Sequence, residues 1–453
     1  MQKSLPEWLD WMEQIHPSEI ELGLDRVYDV ALRLGLAPLD AGGARDAFSE
    51  PSLRVATNII VVAGTNGKGS TIATLQHLCE HAGLSTCVYT SPHFEHYSER
   101  FEFDGNPVSD TELCSVLAQI EFARGSTALT FFEFSTLAAL LLCRQRKPDV
   151  AILEVGLGGR LDAINIVPAD IAVITQIDLD HQDWLGDTRE LIGAEKAGIL
   201  RPGIKFVCAD LSPPSSIREL ARTLQADSYF LSEDFEISRR TDRLEWHSKK
   251  SAAFVFHDPG LHPSSIAAAL QVLELLTQES VTKEATSKFN VLALPGRQQA
   301  LSHAGVSVLL DVAHNPAATI HLRNCMQRSQ MGQAIDSTAD GAKEIRANRT
   351  LAVFAVMADK DWQTMVSLIS DVIDGWFLAE LPGNQRAEAN KAIEAYLKID
   401  SPAVSTASCS SVDTAIKSAL SEAQPGDNLV VFGSFFTVAA ALKYFKLVGS
   451  LDG

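Results

Sequence analysis

Basic charge is scarce in this chain: 38 lysines and arginines stand against 57 aspartates and glutamates, a formal net charge of −19. Nucleic acid and anionic membrane surfaces both require a basic face, so this balance excludes them as expected partners. Long apolar runs are missing too. No stretch approaches the ~20 residues that span a bilayer, and the N-terminus carries acidic residues and tryptophans where a leader would be basic and then apolar. C-x-x-C pairs are also absent. Seven cysteines (Cys79, Cys87, Cys114, Cys143, Cys208, Cys325, Cys409) form an odd set without metal-type spacing, which predicts buried thiols of a reducing compartment. No internal repeat relates the two halves. What remains is a cytoplasmic globular protein, expected to act as a monomer.

A chain of 453 residues exceeds one ordinary hydrophobic core, and 46% apolar residues suffice for two. Strands separated by helix-length segments predict an α/β fold with mostly parallel sheets. Leu294-Pro295-Gly296-Arg297 marks the expected boundary, giving domains 1–294 and 295–453.

Ser4-Leu5-Pro6-Glu7 has capping-box spacing and opens a helix with Leu5, Trp8, Met12 and Ile15 on one face, ended by Pro17. A second helix opens at Leu22 to Val27, and Pro38 to Pro51 reads as a loop. Ile59 to Val62 then forms a buried strand, Gly64 to Gly69 a glycine-rich turn, and Thr71 to Glu80 a helix. A turn of this kind gathers backbone N–H groups at the positive end of a helix, which makes a phosphate site. Lys68 adds a charge for the outer phosphates, and Ser70 or Thr71 a hydroxyl for Mg²⁺. The generic G-x-x-x-x-G-K-[ST] pattern is only partly met, because Val62 and Gly69 stand where glycine and a hydroxyl belong. Spacing alone leaves open a plain strand-to-helix turn with a surface lysine.

Later strands also end in chemistry-bearing residues. Cys87 to Thr90 runs into Ser91-Pro92-His93, followed by Glu99-Arg100-Phe101, where Arg100 reads either as a surface arginine or as part of a ligand crevice. Phe131, Phe132 and Phe134 flank Glu133, a wall suited to a core or to a flat aromatic ligand. Asp149 to Val155 is a buried strand whose Glu154 needs a cation or strong donor. The tight loop Gly156 to Ala163 follows it. Ile171 to Ile177 leads into Asp178-Leu179-Asp180-His181, and Leu191 to Leu200 carries Lys196. Residues from Cys208 to about Gly260 look polar and poor in strands, and Ile266 to Leu276 reads as a helix. Beyond residue 295 come strands at Val306 to Leu310, Leu351 to Val356, Gly375 to Leu378 and Leu429 to Phe432. The first of these ends in Asp311-Val312-Ala313-His314-Asn315-Pro316. Ser329 to Arg349 reads as a polar surface insertion.

Seven blocks in order (Gly64–Ser70, Thr90–His93, Glu154–Asn165, Leu179–His181, Glu195–Ile199, Leu294–Arg297, Asp311–Pro316) resemble the folate branch of the ATP-dependent Mur-type ligases. Gly159-Arg160-Leu161-Asp162 is similar to the form of that loop in bacterial bifunctional members. The resemblance implies an N-terminal Mg-ATPase domain and a smaller C-terminal Rossmann-like domain that contributes to ATP and glutamate binding. It implies ligation of L-glutamate to dihydropteroate and to reduced folates through an acyl phosphate. ATP would be held by Gly64, Thr65, Asn66, Gly67, Lys68, Gly69 and Ser70, with Arg297 and Asp311. Two Mg²⁺ ions would use Ser70 and Glu154, then His181, although histidine is an unusual Mg²⁺ ligand and a hydrogen-bonded core histidine is the plain alternative. Folate or dihydropteroate would meet Ser91, Pro92, His93, Phe132, Glu133, Gly158, Gly159, Arg160 and Asp162. Lys68, His181, Lys196, Asp311 and His314 would serve catalysis, with Lys196 carried as a carbamate. Two departures stand out: His262-Pro263-Ser264 occupies a place where the family often has asparagine near adenine, and Ile164 replaces a common threonine. A folate-polyglutamylating enzyme without dihydropteroate activity, a cell-wall-type ligase and a non-catalytic ATP module are the alternatives.

Overall fold

Strand β1 (Asn58–Ala63) runs through the middle of the larger sheet, buried from Ile59 onward. The structure, a computed structural model, describes residues 3–16, 18, 20–36, 53–240, 243–336, 348–384 and 386–449. The expected loop Pro38 to Pro51 and the helix-ending Pro17 lie outside these. Two compact units divide the chain, Met1–Leu292 and Ala293–Gly453.

The first unit holds β1, β2 (Thr86–Tyr89), β3 (Phe101–Phe103), β4 (Asn106–Pro107), β5 (Val150–Glu154), β6 (Ile171–Ile174), β7 (Lys205–Cys208) and β8 (Asp227–Phe230) in the order β4-β3-β2-β5-β1-β6-β7-β8. All neighbours from β2 to β8 pair in parallel, while β3 and β4 are antiparallel. Parallel strands covered on both faces must be apolar throughout, and β5 and β6 are buried at every position. The chain passes from β1 outward to β2, then from β5 back across β1 to β6. A ligand crevice belongs at the carboxyl ends of β1, β5 and β6, where the winding reverses.

The N-terminal helix Leu5–Gln14 buries Leu5, Trp8 and Met12, and the Glu7 carboxylate accepts from the Ser4 N–H at 2.7 Å, as the capping-box spacing predicts. Between Cys208 and Gly260, however, the chain is richer in strands than its polarity suggests. Besides β8 it forms an antiparallel sheet of β9 (Phe235–Arg240), β10 (Arg243–Ser248) and β11 (Phe254–His257). Leu244 and Trp246 face inward while the outer face keeps its charges, so alternation on short strands was hidden by exposed arginines and glutamates.

Cysteine chemistry also departs from expectation. Five cysteines are free and buried, but Cys87 on β2 is joined to Cys143 on the helix Phe131–Arg146. The two lie 56 residues apart in sequence and in the same core, so no local spacing could reveal the pair. Among the described residues, no helix is long and apolar enough to cross a membrane.

The second unit has β12 (Gln299–His303), β13 (Val306–Leu310), β14 (Thr350–Phe354), β15 (Gly375–Ala379), β16 (Ser405–Cys409) and β17 (Asn428–Phe432), ordered β12-β13-β17-β14-β15-β16. Only β12 runs antiparallel. The helix Pro316–Asp336 extends into the segment expected to be an insertion from Ser329 onward. Residues 337–347 of that segment are outside the description.

Candidate active site

The phosphate loop is shaped by what surrounds its glycines. Gly64 has φ +152°, and a Cβ there would sit 1.8 Å from Thr175 Oγ1; Gly67 has φ +90°, and its Cβ would meet Ser265 Oγ at 2.7 Å. Only glycine satisfies both the backbone angle and the space. The loop is anchored from behind: Thr65 N–H donates to Gln176 O at 2.8 Å, Thr175 Oγ1 donates to Asn66 O at 2.7 Å, and Ser265 Oγ donates to Gly67 O at 3.2 Å. Pinning Gln176 to the loop also explains why β6 stops at Ile174. Thr175 and Ser265 are positioning residues that the sequence did not single out, because their role depends on contacts more than a hundred residues away.

The following helix spans Lys68–His81, beginning three positions earlier than periodicity predicts. Its first-turn N–H groups lack intrahelical acceptors and form the positive end aimed out of the loop. Thr71 is wholly buried and donates to Gly67 O at 3.0 Å, so Ser70 is the hydroxyl left for a metal. Lys68 Nζ curls back over the loop to Gly64 O at 3.0 Å and lies 4.0 Å from Glu154 Oε1. Glu154, at the end of β5 and in register with Val62, also accepts from Ser91 N–H at 3.0 Å. Its buried charge therefore has both a cation and a donor.

Lys196 reaches the same point from the helix Arg189–Ala197. It is 5% exposed, and its Nζ donates to Gly64 O at 3.0 Å. Burial, and then the neighbouring Lys68, pull its pKa down to about 7. The loop before it explains the placement: a Cβ on Gly159 would come within 2.9 Å of Lys196 O, and Arg160 N–H donates to Glu195 O at 2.9 Å. Thus the glycine loop is clamped onto the end of the lysine-bearing helix.

His181 takes a left-handed conformation (φ 51°) at the start of the short helix Gln182–Leu185, with its side chain 40% exposed and Nε2 4.0 Å from Asp180 Oδ2. It is not a core histidine. Among the described residues no three His, Cys, Asp or Glu side chains cluster as a preformed metal centre. Ser70 and Glu154 nonetheless fit Mg²⁺, which takes few protein oxygens and completes its shell with water and phosphate.

Aromatic side chains pack beside Gly156, two residues beyond Glu154. Phe132 packs where a Cβ on Gly156 would be, 2.5 Å from its ring, and Tyr89 lies 6.2 Å from Phe132. Arg100 is buried rather than surface-exposed, at 9%. Its Nε donates to His93 Nδ1 at 2.9 Å, and its guanidinium covers the rings of Tyr97 and Phe131 at 5.6 and 5.3 Å. Desolvation and Arg100 hold His93 neutral, with a pKa near 4. Asp162 is buried and accepts from Leu157 and Ile164 N–H groups at 2.9 and 3.0 Å, while burial lifts its pKa to about 6. Two expected pocket residues are engaged elsewhere. Both oxygens of Glu133 accept from Arg26 Nε at 2.8 and 2.9 Å and one also caps its own helix at Thr130, so Glu133 shapes the wall from behind. Arg160 is 55% exposed and paired with Glu195 at 2.8 Å.

In the second unit, Asp311 directly follows β13, and its buried oxygens accept from Gln298 and Ala313 N–H groups at 2.9 and 2.8 Å. Burial raises its pKa. His314 Nδ1 lies 2.8 Å from Val312 O. Asn315 Oδ1 caps the next helix through Ala318 N–H. His262 likewise caps the helix Pro263–Thr277 of the first unit, accepting from Ser264.

Residues 62–258 match the Mur ligase middle domain, and residues 332–435 the Mur ligase glutamate ligase domain. A dihydrofolate synthase/folylpolyglutamate synthase of Escherichia coli (strain K12) is 36% identical over 97% of this chain and 95% of its own. Escherichia coli FolC in complex with DHPP and ADP superposes with a TM-score of 0.86 at 34% identity, covering 98% of both chains. A bifunctional folylpolyglutamate synthase/dihydrofolate synthase with Mn, AMPPNP and L-glutamate bound gives 0.83 at 36% identity, again covering 98% of each. Likeness of this extent over nearly the full length of both partners means that the chain belongs to the dihydrofolate synthase/folylpolyglutamate synthase family of Mur-type ligases.

Proposed function

We propose that this protein uses ATP to join L-glutamate to dihydropteroate, making dihydrofolate, and to tetrahydrofolate, extending its glutamate chain. The observation that carries this reading is the convergence on Gly64 O, where Lys68 and Lys196 both donate at 3.0 Å with Glu154 alongside. A carboxylate is a poor acyl donor to an amine, so it must first be phosphorylated; the glutamate amine then displaces phosphate from the acyl phosphate. Phosphoryl transfer of this kind asks for positioning and charge neutralisation, with no protein nucleophile.

The residues divide that work. Gly64 to Ser70 hold the triphosphate through the helix N-terminus and Lys68. Ser70 and Glu154 would hold one Mg²⁺ and His181 a second, and metal held there would supply charge neutralisation for the transferring phosphoryl group. Ser91, Pro92, His93, Phe132, Gly158, Gly159 and Asp162 line the pterin pocket, Arg160 stands at its rim, and Glu133 supports it through Arg26. Arg100 adds a buried cation there. Lys196 acts as a carbamate: a neutral amine captures CO₂, and its lowered pKa favours that form. Arg297, Asp311 and His314 of the second domain, residues 295–453, serve ATP, and the same domain holds part of the glutamate, while residues 1–294 hold the phosphate loop and the pterin. Such an enzyme works as a cytoplasmic monomer, where ATP and reduced folates are available.

Incubation with ATP, Mg²⁺ and glutamate, with dihydropteroate or tetrahydrofolate as acceptor, tests the assignment. Glutamate-dependent ADP release is expected with both acceptors. Release with tetrahydrofolate alone would restrict the enzyme to polyglutamylation, and release with neither would overturn the reading.

A further inference from the structure

Two of the residues assigned to ATP in the second unit come from separate loops, and one aromatic ring touches both. The Arg297 guanidinium lies 4.8 Å from the centroid of Phe435, and the His314 ring lies 6.0 Å from it at 49°. Arg297 belongs to the turn that precedes β12, His314 to the loop after β13, and Phe435 opens the helix Phe435–Gly449 after β17. The backbone brings these three pieces together. Val312 N–H donates to Gly296 O at 2.9 Å, and Gly433 N–H to Ala313 O at 3.0 Å. Gly433 has φ +115°, and a Cβ there would meet Ala355 O at 2.5 Å, so the approach of the β17 end to its neighbours depends on glycine. Ser434 and Thr437, hydrogen-bonded to each other at 2.7 Å, fix the first turn that carries the ring, and Thr437 also donates to Ala355 O at 2.7 Å.

Arg297 Nη1 lies 3.4 Å from Gly296 O and His314 Nδ1 2.8 Å from Val312 O, so each side chain is tied at one atom to its own loop, and ordering the remainder of either when a ligand binds still costs conformational entropy. A fixed aromatic face removes part of that cost in advance. Its negative quadrupole favours the guanidinium over the ring, and its edge and face hold the imidazole. Phe435 is half-buried, and its ring is within reach of both the Arg297 guanidinium and the His314 imidazole.

We infer that Phe435 is a positioning residue for the ligase reaction, holding Arg297 and His314 at a set spacing before nucleotide arrives. The inference rests on the assignment of Arg297 and His314 to ATP, but its geometric part does not. Phe435→Leu removes the aromatic face while keeping an apolar side chain, and Phe435→Tyr restores the face.

The test compares both variants with the parent in two readouts. The first is the NMR shift of the His314 ring protons, which carries the ring current of Phe435 and needs no turnover. The second is steady-state kinetics with ATP varied. In Phe435→Leu the His314 ring protons should move to values free of the Phe435 ring current, and kcat/KM for ATP should fall by about two- to thirty-fold, the range of one cation–π contact. Phe435→Tyr should return both readouts to near the parent while the melting temperature of all three proteins stays similar. Unshifted His314 protons in Phe435→Leu overturn the contact itself. A lost ring current with unchanged kcat/KM for ATP in an active parent overturns the positioning role. A fall in Phe435→Leu that Phe435→Tyr does not repair also counts against it. If the parent lacks ATP turnover altogether, the proposed function fails while the NMR comparison still decides the geometry.

Discussion

Lys196 and Lys68 donate to the same acceptor, the carbonyl oxygen of Gly64, each at 3.0 Å. Two ammonium groups sharing one oxygen in a buried crevice repel each other, and Lys196, the more buried, is the one whose charge is displaced. A carbamate on Lys196 would place an anion beside the Lys68 ammonium where the unmodified amine is held toward its neutral form.

Lys196→Ala should lose most of the activity, and a small carboxylate such as acetate should restore part of it. The amine titrates near pH 7 against 10.5 for an ordinary lysine. Only the neutral amine captures CO₂, so activation by bicarbonate should weaken as pH falls through 7 and strengthen above it. Normal activity of Lys196→Ala in CO₂-depleted buffer would show the carbamate to be wrong.

Lys68→Ala should reduce turnover by roughly 10²–10³, the usual cost of a lost transition-state charge contact, with the thermal melt little changed. Its Nζ bonds only to loop carbonyls and to the edge of Glu154, none of which is core packing. Activity within a few-fold of the parent sinks the phosphate-loop assignment.

Glu154→Gln keeps the volume and the acceptor for Ser91 N–H but removes the charge. The Mg²⁺ concentration for half-maximal rate should rise. An unchanged Mg²⁺ titration would mean that Glu154 serves only Lys68 and Ser91.

His93 has a pKa near 4, displaced from 6.5 by burial and by Arg100. Between those values the unfolded chain binds the extra proton, so stability falls as pH drops from about 6.5 toward 4. His93→Gln should flatten that part of the stability curve. An imidazole titrating near 6.5 by NMR in the folded protein contradicts this.

Much of this architecture was legible in the sequence because apolar runs and glycine turns report local structure. Ile59 to Val62, Asp149 to Val155 and Val306 to Leu310 were readable as strands, and their carboxyl ends delivered Lys68, Glu154 and Asp311. What stayed hidden depends on distant contacts. Thr175 is an unremarkable residue until it is found filling the space that makes Gly64 obligatory. Arg100 stayed open between a surface group and part of a crevice because its partners, His93, Tyr97 and Phe131, are recruited by tertiary packing. Glu133 looked like a pocket carboxylate, yet Arg26, 107 residues away, claims it. The β9–β11 sheet was masked by its own charged outer face.

The central claim is that ATP phosphorylates the pteroate carboxylate before glutamate attacks. Turning over dihydropteroate labelled with ¹⁸O in its carboxylate, in the presence of ATP, Mg²⁺ and glutamate, tests it most directly. The account predicts one labelled oxygen in the inorganic phosphate released with ADP for each amide bond formed. Amide formation with unlabelled phosphate, or with the label in AMP, would contradict it.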